Sequence, residues 1–310
     1  MKVVILGKDG MLLNLIRGAM LANVEICGVL RYERTVKSRL SLFFLDFFKS
    51  SPALTIIKKY KIPDLTFNLA NSKEFKEFLL KENIDVVLVG TWREKISKEV
   101  IDLPVIGTIN VHPSLLPKYR GPNPYLQTIL YGEKYSGVTF HLMSEKFDAG
   151  SILAQKKIEI LEGDTGKELK NKTVFQARLI CMELLEKLQS GFVIPVEQDE
   201  KEATYYGNVK PEDMTLNFEK ETSVELLRRI RAFHPWLPTY IQYKNVFFKI
   251  NPYEVKIVNQ SGQTGKIIEK GDLSLTITTK DGKALKCGKL KLYRLENFTN
   301  LYIKYFVKLT

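Results

Sequence analysis

Hydrophobic positions follow two rhythms along this chain. In the first half they form short unbroken runs: "VVILG" (3–7), "VEICGVL" (24–30), "IDVVLVG" (84–90) and "VIGTINVH" (105–112). Strands buried on both faces read this way. Between the first two runs, Met11, Leu12, Leu15, Ile16, Ala19 and Met20 recur at helical spacing. Ahead of the third, "SKEFKEFLLKEN" opens on Ser72, with Glu74 and Lys76 near its start, and predicts a serine-capped helix. Strands alternating with helices predict an α/β domain built on a mostly parallel, doubly wound sheet.

After His112 the pattern changes. "GVTFHLM" (137–143) and "SILAQKKIEI" (151–160) predict strands on either side of a turn-rich loop, "SEKFDAG". Residues 164–191 predict one long amphipathic helix, with Asp164 or Thr165 as N-cap and Gly191 just past its end. Residues 197–217 are polar, with scattered proline and glycine, and suggest a linker. "SVELLRRIRAF" is a short helix. From Thr239 onward short strands alternate with turns, among them the hairpin signals "EKGD" and "KDG", and predict a small β-barrel. The expected division is a domain over 1–196, a linker over 197–220 and a barrel domain over 221–310.

Composition narrows the class. The 310 residues are 45% hydrophobic and 26% charged, ordinary for a globular protein able to bury a core without disulfides. Cys27, Cys181 and Cys287 are far apart and odd in number. The first two sit in apolar patterns and read as buried thiols, which suits a reducing compartment. "MKVVILG" reads as a first strand rather than a signal peptide. The most apolar window (39–48) is too short to span a bilayer and contains Asp46, so no membrane association and a cytoplasmic location are expected.

The net charge of +12 is uneven: residues 1–204 carry 29 basic and 25 acidic side chains, residues 205–310 carry 18 and 10. The smaller part is the more basic. A polyanionic partner such as nucleic acid fits that bias, and so does a lysine-rich solvated surface. Residues 31–61 hold eight basic and two acidic side chains around "SLFFLDFF", either a basic loop touching an acceptor or an aromatic helix packed on the sheet. The tail aromatics Tyr302, Tyr305 and Phe306 are of the kind that stack on bases, although barrel core is their commoner role.

Candidate chemistry lies in "INVHPSLLPKYRGPNPY" (109–125). Ligands of open parallel sheets bind beyond the carboxyl ends of strands, and "TINVH" delivers Asn110 and His112 to such an end. Two residues apart on a strand, they share a face. An amide donor and an imidazole together suit acyl chemistry: one binds a developing oxyanion, the other handles a proton. Taken alone, the pair reads first as a histidine satisfied by backbone at a strand end. Asp148 in "FDAG" matters if it approaches His112, and is otherwise a turn aspartate beside Gly150. His141 reads as a satisfied sheet histidine. "GKDGML" carries no full dinucleotide or P-loop signature and reads as a strand-to-helix turn. No cluster has metal-ligand spacing, so no metal is expected.

"INVHPSLLPKYRG", then "GVTFHLM", then "FDAGSILAQ", in that order and spacing, resemble the formyltransferase family that uses 10-formyltetrahydrofolate. The likeness continues through "EATYYGNVKPED" and "RIRAFHPW" and covers nearly the whole chain. It implies a Rossmann-like catalytic domain followed by an OB-like barrel, and direct transfer of a formyl group to a primary amine with no covalent enzyme intermediate. Asn110, His112 and Asp148 match the family's catalytic trio. The folate co-substrate would lie against Val89, Gly90, Trp92, Arg93 and Ile96, with Phe147 and Gly150 opposite. Ser114, Leu115, Tyr119, Arg120 and Gly121 would shape the acceptor side.

Two acceptors fit. "RIRAFHPW" and the basic C-terminal part favour methionyl-tRNA. "GVTFHLM", with His141, and "DAGSILAQ" look closer to enzymes acting on a nucleotide-linked 4-amino sugar. Two departures from the tRNA branch stand out: "GKDGML" replaces its usual first turn, and "RYERTVKSRLSLFFLDFF" replaces its usual Pro-, Gly- and Arg-rich loop. A hydrolase passing the formyl group to water, and a nucleic-acid binder on an inactive scaffold, are the remaining readings. Methionyl-tRNA comes first.

Overall fold

A computed structural model of the chain describes residues 1–32, 51–67, 69–295 and 299–308. "SLFFLDFF" and most of the basic stretch around it fall outside the described residues. The chain divides into two compact units. The first comprises Met1–Pro124, Tyr135–Glu159 and Lys170–Tyr206; the second comprises Tyr125–Lys134, Ile160–Leu169 and Gly207–Thr310.

The first unit is built on a six-stranded sheet. Its strands are β1 (Lys2–Gly7), β2 (Glu25–Arg31), β3 (Val86–Gly90), β4 (Gly107–His112), β5 (Tyr135–Leu142) and β6 (Ile152–Glu159), in the order β2-β1-β3-β4-β5-β6. The first four run parallel, and the last two join antiparallel. The unbroken apolar runs follow from burial on both faces. Val4, Leu6, Val87 and Val89 share one core cluster with Phe75 and Leu79 of the helix Lys73–Lys81 and with Val100. Toward the other face, Met11 and Leu15 of the helix α1 (Asp9–Leu21) close over Gly90.

Helix starts obey local chemistry. Ser72 accepts from the Phe75 amide ahead of Lys73–Lys81, as expected. Ser51 does the same for Leu54 ahead of α2 (Pro52–Lys59), where Pro52 opens the helix. The long helix runs Gly166–Gln189, with the Thr165 hydroxyl accepting from the Lys167 amide. Of the two cysteines expected to be buried, Cys181 is; Cys27 is only half-buried on the sheet-edge strand β2. Partly buried, it packs against the core cluster that holds Val4, Leu30 and Leu65.

The second unit is antiparallel. A three-stranded sheet pairs Tyr240–Tyr243, Val246–Lys249 and Lys291–Leu292. A four-stranded sheet pairs Val255–Val258, Ile267–Gly271, Ser274–Thr278 and Ala284–Cys287. Ile241, Phe248 and Leu292 from one sheet share a core with Leu275, Ile277 and Leu285 from the other. Leu226 and Ile230 of the helix Ser223–Phe233 join it, and Thr222 with Glu225 forms that helix's capping box. The tail is a helix, Thr299–Phe306. Tyr302 packs on Phe248 and Phe306 stacks on Tyr302, the core role expected of tail aromatics, although Phe306 itself is exposed. The side chain of Tyr305 is outside the described residues. Among the described residues no helix is long and apolar enough to cross a membrane.

Candidate active site

The end of β4 and the register of its partners assemble the site. Antiparallel pairing with β5 sets His141 opposite Asn110 and Thr139 opposite His112. Facing residues on neighbouring strands bring their side chains together. The turn between β5 and β6 then folds Asp148 back over them. Gly150 makes that turn possible: a Cβ there would lie 1.8 Å from the Leu142 carbonyl oxygen.

Four polar side chains converge. Asp148 Oδ1 lies 3.4 Å from His112 Nδ1 and 3.5 Å from Asn110 Nδ2. The Gly121 amide donates to Asp148 Oδ2 at 3.0 Å. A Cβ on Gly121 would meet the Tyr206 carbonyl oxygen at 2.2 Å, and its φ of +109° suits glycine. His112 Nε2 donates to the Tyr119 carbonyl at 2.8 Å. The condition set on Asp148, its approach to His112, is met.

His141 is more than a satisfied sheet histidine. Its Nδ1 donates to the Leu142 carbonyl at 2.9 Å, so in the neutral ring Nε2 is an acceptor, and it takes the Asn110 Nδ2 hydrogen at 3.1 Å. That contact fixes which way the Asn110 amide points. Burial, then the neighbouring His112, push the His141 imidazole down to about 4, so it stays neutral at ordinary pH. For Asp148, burial alone would raise the carboxyl. The hydrogen bond and charge of His112, with the Gly121 amide, overcome this and hold it at about 2. At ordinary pH an ionised carboxylate therefore sits between two histidines and an amide.

A cleft beside this group is lined by Val89, Trp92, Ile96, Met143 and Phe147, with Asn110, His141 and Asp148 at one end. Four of the expected co-substrate residues, Val89, Trp92, Ile96 and Phe147, are on its wall. Gly90 is packed under α1, Gly150 shapes the turn, and exposed Arg93 lies off the lining. Trp92 Nε1 is buried without a hydrogen-bond partner among the described residues. Glu94, Lys95, Ser144, Glu145 and Lys146 complete the wall, so the lining is mixed, with flat apolar contact beside hydrogen-bonding groups. Glu94 accepts from the Ala70 amide and from Asn71 Nδ2, pinning the 91–97 loop, a role that no motif in the sequence marked. Among the described residues no group of three His, Cys, Asp or Glu side chains is gathered to hold a metal.

The loop expected on the acceptor side is tied mostly to the protein itself. The buried Ser114 hydroxyl donates to the Lys118 carbonyl, and Leu115 fills the space above Gly137. Tyr119 stacks on Tyr206. Arg120 is 8% exposed, and its guanidinium is engaged by Glu200 and Gln198. Gly121 meets Asp148 through its backbone alone. The stretch from 198 to 206, linker-like by composition, thus reaches the site.

Residues 47–185 match the formyl transferase family, and residues 208–300 match the formyl transferase C-terminal domain. A methionyl-tRNA formyltransferase of Thermotoga maritima is 32% identical over 234 residues, 75% of this chain and 74% of that one. One from Staphylococcus aureus is 30% identical over 241 residues, 78% of this chain and 77% of its own. Among solved structures, an N-formyltransferase from Helicobacter canadensis, in complex with folinic acid and dTDP-3-aminofucose, is similar in fold. It is 19% identical with a TM-score of 0.67, covering 93% of this chain and 99% of that one. The chain belongs to the formyltransferase family, enzymes that move a formyl group.

Proposed function

We propose that the chain transfers a formyl group from 10-formyltetrahydrofolate to the amino group of methionyl-tRNA. The observation that carries the reading is the Asp148 carboxylate within 3.5 Å of both His112 and Asn110 at the end of the cleft. The amine nitrogen attacks the formyl carbon, and Asn110 and His112 stabilise the developing oxyanion, each by turning an N–H from its resting partner in the protein. Asp148, ionised in the resting site, takes the proton released by the amine, passes it to the departing folate nitrogen and keeps His112 oriented. The folate nitrogen leaves with a proton, and no bond to the enzyme forms. The cleft, with Val89, Ile96, Met143 and Phe147 beside polar side chains, suits a folate's flat ring and polar edge.

The acceptor reading draws on the methionyl-tRNA formyltransferases 30 to 32% identical to the chain, and on one surface of the second unit. On the outer face of its three-stranded sheet, Tyr240 lies 5.6 Å from Tyr293 and 6.1 Å from Phe247. Lys249 pairs with Tyr240 in register, and Lys291 pairs with Lys249. Arg294 lies 5.3 Å over Tyr293. Aromatic rings interleaved with cations suit a single-stranded nucleic acid segment.

The test uses purified protein, 10-formyltetrahydrofolate and either charged initiator tRNA or a dTDP- or UDP-linked amino sugar. Formylation of the tRNA is expected, and turnover with the sugar alone would overturn the acceptor. Formate released with no amine present would overturn transfer itself. His112→Ala should lower the rate by about 10²–10⁴-fold with the donor still bound. A wild-type rate would mean that the chemistry lies elsewhere.

A further inference from the structure

Residues 198–206 strap together the two loops that complete the site. Gln198 Nε2 donates to the carbonyl oxygens of Asp148 at 2.8 Å and Gly150 at 2.7 Å. Its Oε1 accepts from Arg120 Nη2 at 2.8 Å and Nε at 3.3 Å. Arg120 is gripped from its far side by Glu200, at 2.7 and 3.0 Å. Further along, the Thr204 hydroxyl accepts from the Tyr119 amide and its carbonyl from the Arg120 amide, both at 2.8 Å. The Tyr206 amide donates back to the Arg120 carbonyl.

Two of the residues that this strap holds have left-handed backbones. Asp148 has φ +56° and Tyr119 φ +60°, a region that costs a side-chain-bearing residue about 1 kcal/mol or more and persists where neighbours hold it. Tyr119 presents its carbonyl to His112; Asp148 presents its carboxylate to His112 and Asn110. The left-handed turn at Asp148 leaves two carbonyls pointing the same way, and one amide side chain takes both.

We propose that Gln198 is a positioning residue for formyl transfer: by donating both amide hydrogens to the 148–150 turn, with its oxygen held by Arg120, it keeps the Asp148 carboxylate against His112 and Asn110. This rests on Asp148 acting in the reaction. The titratable groups around that carboxylate are His112 and His141, with Arg120 and Glu200 behind Gln198. Releasing the turn lets the carboxylate drift from the His112 ring and the Gly121 amide, the groups that keep it ionised.

Gln198→Leu and Gln198→Glu separate the parts. Leucine removes donors and acceptor at similar size. Glutamate keeps an oxygen for Arg120 but has no donor for the carbonyls. For both variants, with rates corrected for folded fraction by circular dichroism, we expect kcat down about 10–100-fold and KM for the formyl donor within about twofold. The acidic limb of the pH–rate profile should move upward, because a carboxylate away from His112 and the Gly121 amide is harder to keep ionised. Asp148→Asn is run beside them with whichever acceptor supports transfer. A wild-type rate in Asp148→Asn overturns the site itself. An inactive Asp148→Asn with either Gln198 variant at wild-type kcat and an unmoved acidic limb overturns only the role of Gln198. Losses accounted for entirely by misfolding do the same. Should neither variant fold, Glu200→Gln, at a position whose side chain is 67% exposed, carries the test. It should lower kcat about 2–5-fold with the same direction of pH shift, and unchanged values overturn the proposal.

Discussion

The two units keep their chemistry in opposite places. In the parallel unit the polar groups are inside: His112, His141 and Arg120 are each under a tenth exposed, and the Asp148 side chain is 13% exposed. In the antiparallel unit the interior is aliphatic and aromatic around Phe248, and the outer sheet face carries Tyr240, Tyr293, Lys249 and Lys291. Parallel strands buried on both faces leave only their ends for function, so loops must fold back and bury charge there. A strand with one wet face can display function along its length. The first arrangement suits bond-making, where dry, fixed dipoles act strongly; the second suits reversible attachment to a long charged partner.

The largest test of this contrast is mechanical. Each unit contains one of the two tryptophans, Trp92 in the first and Trp236 in the second. Phe248→Ala empties the core of the second unit and should cost about 3–5 kcal/mol there. In chemical denaturation the Trp236 fluorescence transition, read in a Trp92→Phe background, should move by that amount. The Trp92 transition, read in a Trp236→Phe background, should move less. Equal shifts would mean that the two units unfold as one.

Acid should then find the first unit. Native His141 is held at about 4, whereas an unfolded histidine takes its proton near 6.5. Its contribution of about 3 kcal/mol is fully present above about pH 6.5 and is lost as pH falls toward 4. Asp148, held at about 2 against an ordinary 3.8, contributes stability present above about pH 4 and lost as pH falls through 2. Urea midpoints measured across pH 4 to 7 should fall on acidification, and His141→Gln should flatten the slope. An unchanged slope in that variant would place the acid sensitivity elsewhere.

The smallest effect belongs to the outer face. Replacing Lys249 and Lys291 together by alanine should weaken tRNA binding several-fold and reduce the slope of log affinity against log salt by about 1.4, with donor-side KM unchanged. A slope that does not move would remove this face from the nucleic-acid reading.

Much of this was legible in the chain. The apolar runs of β1, β3 and β4 announce themselves because burial on both faces leaves no polar alternation. Ser72 announces a helix because its hydroxyl serves an amide three residues away. The spacing of Asn110 and His112 puts both at one strand end, since a strand's geometry is local. The weight of His141 was not legible, because its partner Asn110 is 31 residues earlier and only strand register sets them opposite. Residues 198–206 hid more thoroughly. Their polarity resembles a linker's, and nothing in composition distinguishes a glutamine facing water from one holding two carbonyls of a catalytic-site turn.

The sequence by itself determined the strand-and-helix order, the change to antiparallel hairpins, the basic bias of the C-terminal part and the family resemblance. These depend on residues near one another in the chain, or on sums over it. Tertiary structure alone decided that Asp148 meets His112, that His141 steers Asn110, and that Arg120 faces inward to Gln198 and Glu200 instead of outward. Each depends on groups 31 to 80 positions apart being brought within a hydrogen bond's reach, a distance that only the packing of the whole sheet sets.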